Sequence, residues 1–198
     1  MHIKVFQSTG QANAITIAEG VEYASSNGAD ILNMSFGSYA ESTTFKLALE
    51  NAYSTSILVA SSGNDELCIG PGFCPDGKVS ARSYPAAYSF VFGVEDRPRP
   101  NFGYTNYDQD GPIATGFPLE LFNYELAAPG TSIISTIPGG GYAQLNGTSM
   151  SAPLVAGGLA LYNQQKPDDS NEIIFGTLIN TSANAGELEP GFVNILAA

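Results

Sequence analysis

The run Asn-Gly-Thr-Ser-Met-Ser-Ala-Pro at residues 146–153 has the residue types and spacing that acyl transfer requires. Ser149 carries a hydroxyl and stands at the start of a helical apolar pattern that reaches residue 164. The first N–H groups of a helix have no intrahelical acceptor, and the helix dipole favours negative charge beside them. A serine there is well placed for nucleophilic attack, although the run taken alone is more often an ordinary helix N-cap.

Two further groups of small polar residues follow apolar segments that predict strands. Ser-Phe-Gly at 35–37 ends the segment 30–35, and Ser-Ser-Gly-Asn at 61–64 follows the segment 57–60. In open α/β sheets ligands bind outside the carboxyl ends of the strands. Small residues at those ends let a substrate backbone approach closely. We therefore expect the chemistry of the chain at these two strand ends.

The elements that must position these residues alternate between strand and helix. Apolar segments predict strands, and residues spaced three and four apart predict helices. The predicted strands cover residues 3–7, 30–35, 57–60, 89–94, 125–128 and 132–136, and the predicted helices cover 14–25, 41–53, 148–164 and 170–179. This order predicts an α/β, three-layer fold with a mostly parallel sheet flanked by helices. Residues 95–122 are turn-rich and predict a surface loop with at most one strand.

Composition restricts the classes of function. A chain of 198 residues with 43% hydrophobic and 13% charged residues predicts a single globular domain. The net charge of -12 repels phosphate backbones and anionic lipids, which argues against nucleic-acid and membrane partners. No apolar run is long enough to span a bilayer.

Three segments in fixed order, 30–37, 59–65 and 128–153, resemble the successive motif blocks of subtilisin-like serine proteases, and residues 191–194 resemble the closing segment of that family. The resemblance implies that residues 1–198 form one partial subtilase catalytic domain, truncated at its N-terminus. It assigns Ser149 as the nucleophile and Asn64 as the side-chain oxyanion donor. It also implies that the substrate-binding residues are Ser35, Phe36, Gly37, Ser62 and Gly63, and that the partner is a polypeptide substrate.

The same resemblance shows what this sequence lacks. In the subtilisin order the Asp and the His of the triad precede the Ser, and neither an Asp-Thr-Gly nor a His-Gly-Thr-His block is present. His2 is the one histidine and follows the place of the family's His-bearing helix, so we do not expect it to be the general base. Leu154 stands where the family very often has a histidine that is not the base. We predict that the chain alone hydrolyses peptides poorly and needs a missing N-terminal segment carrying Asp and His.

Two other classes remain as alternatives. A non-catalytic subtilase-like module for binding or structure is favoured if the whole gene also lacks the Asp and the His. An α/β-hydrolase esterase is the weaker rival, because it needs Gly two positions after the serine and Ser151 stands there.

Two further features of the sequence are a candidate disulfide and a candidate calcium loop. Cys68 and Cys74 flank a Pro/Gly-rich loop, which favours a local disulfide over two free thiols; a bridge implies an oxidising compartment and, with the resemblance, an extracellular or cell-envelope location. Asn-Tyr-Asp-Gln-Asp-Gly at 106–111 resembles the opening of a calcium loop, but Phe117 replaces the expected glutamate, so a plain Asp-Gly turn is favoured. The chemistry requires no cofactor, structural calcium stays open, and we assign no metal ligand.

Overall fold

The computed structural model describes residues 1–69, 81–96, 105–108 and 126–183. The helices are α1 (Ala14–Ser26), α2 (Thr43–Tyr53), α3 (Thr148–Gln165) and α4 (Asn171–Ala183). The strands are β1 (Ile31–Met34), β2 (Ile57–Ser61), β3 (Cys68–Ile69), β4 (Phe92–Asp96), β5 (Tyr107–Asp108), β6 (Leu126–Ala128), β7 (Ile133–Ile137) and β8 (Gly141–Leu145).

The main sheet has the order β1-β2-β4-β6, and each neighbouring pair is parallel. Met34 pairs with Ala60, and Ala60 pairs with Gly93, so the strands end close to one another. Two smaller pairs lie outside this sheet: β3 with β5 in parallel, and β7 with β8 as an antiparallel hairpin. Because the strands of the main sheet run the same way, the loops after β1, β2 and β4 all leave at one edge.

Alternation along the strands produces two cores, one on each face of the sheet. Leu58 and Ala60 belong to a cluster with α1 and α2, whereas Ile57 and Val59 belong to a cluster with α3 and α4. Neighbouring residues of β2 thus bury their side chains on opposite faces, as a strand covered on both sides requires. The predicted three-layer α/β fold is confirmed.

Capping side chains determine where α1 and α2 begin. The Asn13 side chain accepts a hydrogen bond from the Thr16 N–H at 2.8 Å, and Ser42 caps α2 through Phe45 N–H. Side-chain oxygens at this position satisfy N–H groups that the helix itself leaves free. All four predicted helices are present, with ends within a few residues of the prediction.

The prediction of a strand at residues 3–7 is wrong. This segment has no regular structure, and the described strands include none that pairs with the outer edge of β1. A strand needs a neighbour for its ladder hydrogen bonds. Ile3 and Val5 pack instead against α1, where a Cβ on Gly20 would collide with the Val5 side chain. Two further departures are the β7–β8 hairpin, of which only the first strand was predicted, and the short strand β3, which was not predicted.

None of the helices in the described ranges is both long and apolar enough to cross a membrane.

Candidate active site

Ser149 is the second residue of α3, and Gly147 caps that helix with a φ of 138°. A φ in this range is open to glycine and strained for other residues, so the glycine makes the abrupt entry into the helix feasible. The N–H of Ser149 therefore belongs to the first turn, where backbone donors have no partner within the helix. The Ser149 hydroxyl is half-buried and lies 3.3 Å from the carbonyl oxygen of Ser35, at the end of β1.

Ser35 makes a second hydrogen bond with Ser149, and Pro153 explains why. A proline at this position has no N–H, so the Ser149 carbonyl loses its ordinary helical donor four residues later. The Ser35 hydroxyl supplies that hydrogen bond instead, at 2.9 Å, and itself accepts one from Asn33 Nδ2 at 3.0 Å. The end of β1 is thus hydrogen-bonded to the nucleophile's own peptide group.

Asn64 lies in the turn after β2 and faces the start of α3. Its Oδ1 accepts hydrogen bonds from Thr148 N–H at 3.0 Å and from Thr148 Oγ1 at 3.1 Å. A backbone N–H can only donate, so the oxygen of the amide must face Thr148, and the Nδ2 group points away from it. Asn64 is exposed, and its Nδ2 group takes no part in the contacts with Thr148.

The buried carboxylate of Asp96 holds the loop after β6, and this loop contacts the residue that caps α3. Asp96, at the end of β4, accepts hydrogen bonds from Gly130 N–H and from Thr131 Oγ1, the latter at 2.8 Å. The Gly130 carbonyl in turn accepts from Gly147 N–H at 2.8 Å. The loop after β6 and the residue that caps α3 are therefore tied to one strand end. Stabilising the oxyanion of acyl transfer requires donors that are held in place before the reaction, and these contacts hold the backbone around Ser149.

Comparison with known proteins identifies the family of this chain. The family model described as "Subtilase family" matches residues 1–194. The chain belongs to the subtilase family. It is 34% identical to subtilisin DY of Bacillus licheniformis over 99% of the chain, and 38% identical to alkaline elastase YaB of Bacillus sp. over 99% of the chain.

Solved structures show the same fold. One described as sphericase has a TM-score of 0.73 and 26% identity, covering 95% of this chain and 61% of that one. A protease from Pseudoalteromonas arctica has a TM-score of 0.76 and 26% identity, covering 98% of this chain and 60% of that one. This subtilase chain spans 66% of the length of subtilisin DY and 47% of that of alkaline elastase YaB.

The residues predicted to bind substrate fall into two kinds. The Phe36 ring packs on Phe6 and Phe45, with ring centroids 5.1 and 6.3 Å apart, and Ser62 is buried, so both side chains face the protein. Gly37 and Gly63 follow Phe36 and Ser62 in the sequence and have only backbone atoms to offer to a ligand. The assignment of these residues, and of Ser35, to substrate binding stays a prediction.

Tyr39 and Asp65 bridge the two strand-end loops. Tyr39 Oη donates a hydrogen bond to Asp65 Oδ2 and accepts one from Asn106 Nδ2 at 3.0 Å. Burial raises the pKa of Tyr39 above its ordinary value of 10.0; the Asn106 amide lowers the pKa and the Asp65 carboxylate raises it. Tyr39 therefore keeps its proton at physiological pH and acts as a hydrogen-bond donor.

His2 is exposed and lies in the irregular segment before α1. The structure thus brings Ser149 and Asn64, the predicted nucleophile and oxyanion donor, to one edge of the sheet, and the sequence holds no second histidine. Leu154, where the family often has a histidine, is exposed on α3.

Two predictions concern residues that the structure describes only in part. The described segments hold no group of three or more His, Cys, Asp or Glu side chains that could bind a metal. Cys74 and most of the predicted calcium loop, residues 109–111 and Phe117, lie outside the described residues. The disulfide and structural calcium therefore stay predictions.

Sequence reasoning missed the role of Asn106, which was considered only as the first ligand of a calcium loop. Its side chain is buried behind the turn that carries Asn64. A buried asparagine next to a catalytic turn could have been found only by knowing that residues 62–67 and 105–108 are neighbours, which requires the fold.

Proposed function

We propose that this chain supplies the nucleophile and the oxyanion hole of a serine endopeptidase. Ser149 Oγ attacks the carbonyl carbon of a peptide bond, and its proton passes to a histidine that the 198 residues do not contain. The Ser149 N–H and Asn64 Nδ2 donate to the resulting oxyanion. The leaving amine takes the proton from the same histidine, and water then releases the acyl group from Ser149.

The observation that carries this proposal is the hydrogen bond of Thr148 N–H to Asn64 Oδ1. It holds the Asn64 amide by its oxygen against the residue that precedes Ser149, and it leaves the Nδ2 donor free of this contact. A module that only bound a partner would have no need for a donor held beside a helix N-terminus. This geometry therefore favours the protease over the non-catalytic subtilase-like module.

We propose that the general base and the Asp that orients it are provided by a segment outside these residues. Support comes from the outer edge of β1. A cavity of about 740 Å³ lies there, which we call the β1 groove, and it is lined by apolar side chains that include Ile3, Val5, Ile31, Met34 and Ala160. A largely apolar groove beside a strand edge that no described strand pairs with is a surface to which a further strand can bind.

The outer face of α3 continues this surface. Leu154 and Leu161 are 47% and 57% exposed, and nothing lies within 4 Å of the place where Gly157 would carry a Cβ. These three positions share one helix face. An exposed apolar stripe beside the β1 groove fits a partner segment that covers both.

A fluorophosphonate, which modifies activated serines, tests the proposal directly. We expect slow labelling of the chain alone, much faster labelling when the segment with Asp and His is present, and none in Ser149→Ala. By analogy with a subtilisin, in which removal of the histidine costs about 2 × 10⁶ in kcat, the gain should span several orders of magnitude. Fast peptide hydrolysis by the chain alone would refute the need for a base from outside, and labelling that survives Ser149→Ala would refute the nucleophile.

We further propose that the substrate is a polypeptide, that neither nucleic acid nor membrane is a partner, and that the protein acts outside the cell or in the cell envelope. The net charge of -12 supports the first exclusion. The location follows from the proposed Cys68–Cys74 bridge. A mass that falls by two hydrogens relative to the reduced chain would support the bridge, and two alkylatable thiols in native protein would contradict it.

A further inference from the structure

Asn106 is a fully buried polar residue, with 0% of its surface exposed. Its Oδ1 accepts hydrogen bonds from Asp65 N–H and from Leu67 N–H, both at 3.0 Å. Its Nδ2 group donates to the Ser62 carbonyl at 2.9 Å and to Tyr39 Oη at 3.0 Å. Two acceptor sites and two donors are all that an asparagine side chain has, and all four are used.

The backbone of Asn106 adds two contacts to the same turn. Its N–H donates to the Gly63 carbonyl at 2.9 Å, and its carbonyl accepts from Ser62 Oγ at 3.0 Å. The turn after β2 is therefore bound on both sides of Asn64: at Ser62 and Gly63 before it, and at Asp65 after it. Asn64 itself makes no contact with Asn106 among these hydrogen bonds.

Gly63 shows how closely the two segments approach. Its φ is 108°, and a Cβ built there would collide with Asn106 Nδ2. The Gly63 N–H donates to Thr148 Oγ1 at 3.1 Å, so this residue connects Asn106 to the start of α3. Asn106, the turn and the helix N-terminus are one hydrogen-bonded unit.

We propose that Asn106 is the positioning residue of the oxyanion site: it fixes the backbone on both sides of Asn64, and so fixes where the Asn64 amide points. The inference rests on the proposed function in one respect, which is that Asn64 is the oxyanion donor. No other side chain replaces Asn106 well, because an aspartate has no donors and an alanine has neither donors nor acceptors. Both lone pairs of Oδ1 are engaged with N–H groups, which leaves none for a cation.

The first test follows the Asn64 amide itself. In chain labelled with ¹⁵N-asparagine, we expect Asn106→Ala to shift and broaden the Asn64 side-chain signals, and Asn106→Asp to do so less, because aspartate keeps an acceptor for Asp65 and Leu67. The aspartate variant also decides the matter if the alanine variant does not fold. Unchanged Asn64 signals in a folded Asn106 variant would overturn the inference.

Asn171 offers a matched control at the other end of the sheet. Its Nδ2 group donates to the carbonyls of Tyr53 and Ser56, the latter at 3.1 Å, so it also ties a turn together through two backbone acceptors. Asn171→Ala should lower the melting temperature and leave the Asn64 signals unchanged. If Asn171→Ala and Asn106→Ala perturb those signals alike, the effect is one of general stability and the inference fails.

The second test is a double-variant cycle on the fluorophosphonate labelling rate of Ser149. We expect Asn106→Ala to slow labelling by about 10- to 100-fold, the loss typical of a displaced catalytic group. Combined with Asn64→Ala, it should add less than about a twofold further loss, because both act through one amide. Losses that multiply would overturn the inference. If Asn64→Ala alone leaves the rate unchanged while Asn106→Ala still shifts the Asn64 signals, the positioning link stands and the proposed oxyanion role is the part that fails.

Discussion

The carboxyl end of the sheet and the outer edge of β1 are built in opposite ways. At the carboxyl end, polar side chains meet partners within the chain: Asn64 accepts from Thr148, and Asp96 accepts from Gly130. The β1 groove is lined mostly by apolar side chains, with Asp30, Asn33, Asn163 and Gln164 among them, and the neighbouring face of α3 exposes Leu154 and Leu161.

This difference separates two parts of one reaction. Under the proposed function, Ser149 and Asn64 are held in place by contacts inside the described residues, as preorganised groups must be. The histidine proposed to accept the Ser149 proton would come from outside these residues, and the groove beside β1 is the kind of surface that can bind another segment. The comparison predicts that substitutions will act differently in the two regions.

The largest contrast is expected between two leucines of the same helix. Leu159 is fully buried between the sheet and α4, whereas Leu161 lies on the exposed face of α3. Leu159→Ala should lower the free energy of unfolding by about 2 to 5 kcal/mol, because it leaves a cavity in the core. Leu161→Ala should change it by less than about 0.5 kcal/mol. Urea unfolding of the chain alone measures both.

Leu161→Ala also tests the proposed contact between α3 and the segment that carries the Asp and the His. Leu161→Ala should then weaken binding of that segment by about tenfold, since apolar area on the α3 face is no longer buried. Equal binding by the parent and the variant would show that the exposed face of α3 is simply solvated.

Asn64→Ala should have the next largest effect, this time on rate. Loss of one oxyanion donor costs about 10² to 10³ in kcat in a subtilisin, a family member whose value we adopt for this chain. We expect a similar fall in Ser149 labelling or peptide hydrolysis in the assembled protease.

Asn64→Asp is the control for this substitution, because it keeps an oxygen for Thr148 and removes the donor. Both variants should lose activity, and Asn64→Asp should keep more of the stability. If Asn64→Asp retained full activity, the amide would not be the donor.

Gly63→Ala is predicted to disturb the turn with a smaller free-energy change. An alanine at a φ of 108° is strained, and its Cβ collides with Asn106 Nδ2. We expect a loss of about 1 to 3 kcal/mol in the free energy of unfolding, together with slower labelling of Ser149. Gly28→Ala is the control: it has a φ of 78° but open space around it, so it should cost stability alone. Equal labelling rates in the two variants would contradict the coupling of Gly63 to the site.

The sequence was a good guide where local patterns determine structure. Helical spacing located α1 to α4, and the family motifs led to Ser149 and Asn64, which the fold brings to one edge although they are far apart in sequence. It failed at residues 3–7, because an apolar run shows that side chains are buried but not whether a neighbouring strand exists to pair with. It did not find the contacts of Asn106 with the backbone around Asn64, because these depend on two segments about 40 positions apart that only the fold brings together.

The smallest predicted effect concerns alkaline pH and the core behind α2. Tyr88 is buried with Ala86 and Val91 in the cluster under α1 and α2, and burial, followed by the carboxylate of Glu41, raises its pKa well above the ordinary value of 10.0. Above pH 10 an unfolded tyrosine loses its proton while the folded Tyr88 keeps it. The stability that neutral Tyr88 provides is therefore full below pH 10 and is lost as the pH rises further. Tyr88→Phe removes this titration and should make the alkaline fall in unfolding free energy shallower. At neutral pH it should change that free energy by less than about 1.5 kcal/mol. Melting temperatures measured from neutral pH to about pH 12 check the prediction, and parallel alkaline curves for the parent and the variant would refute it.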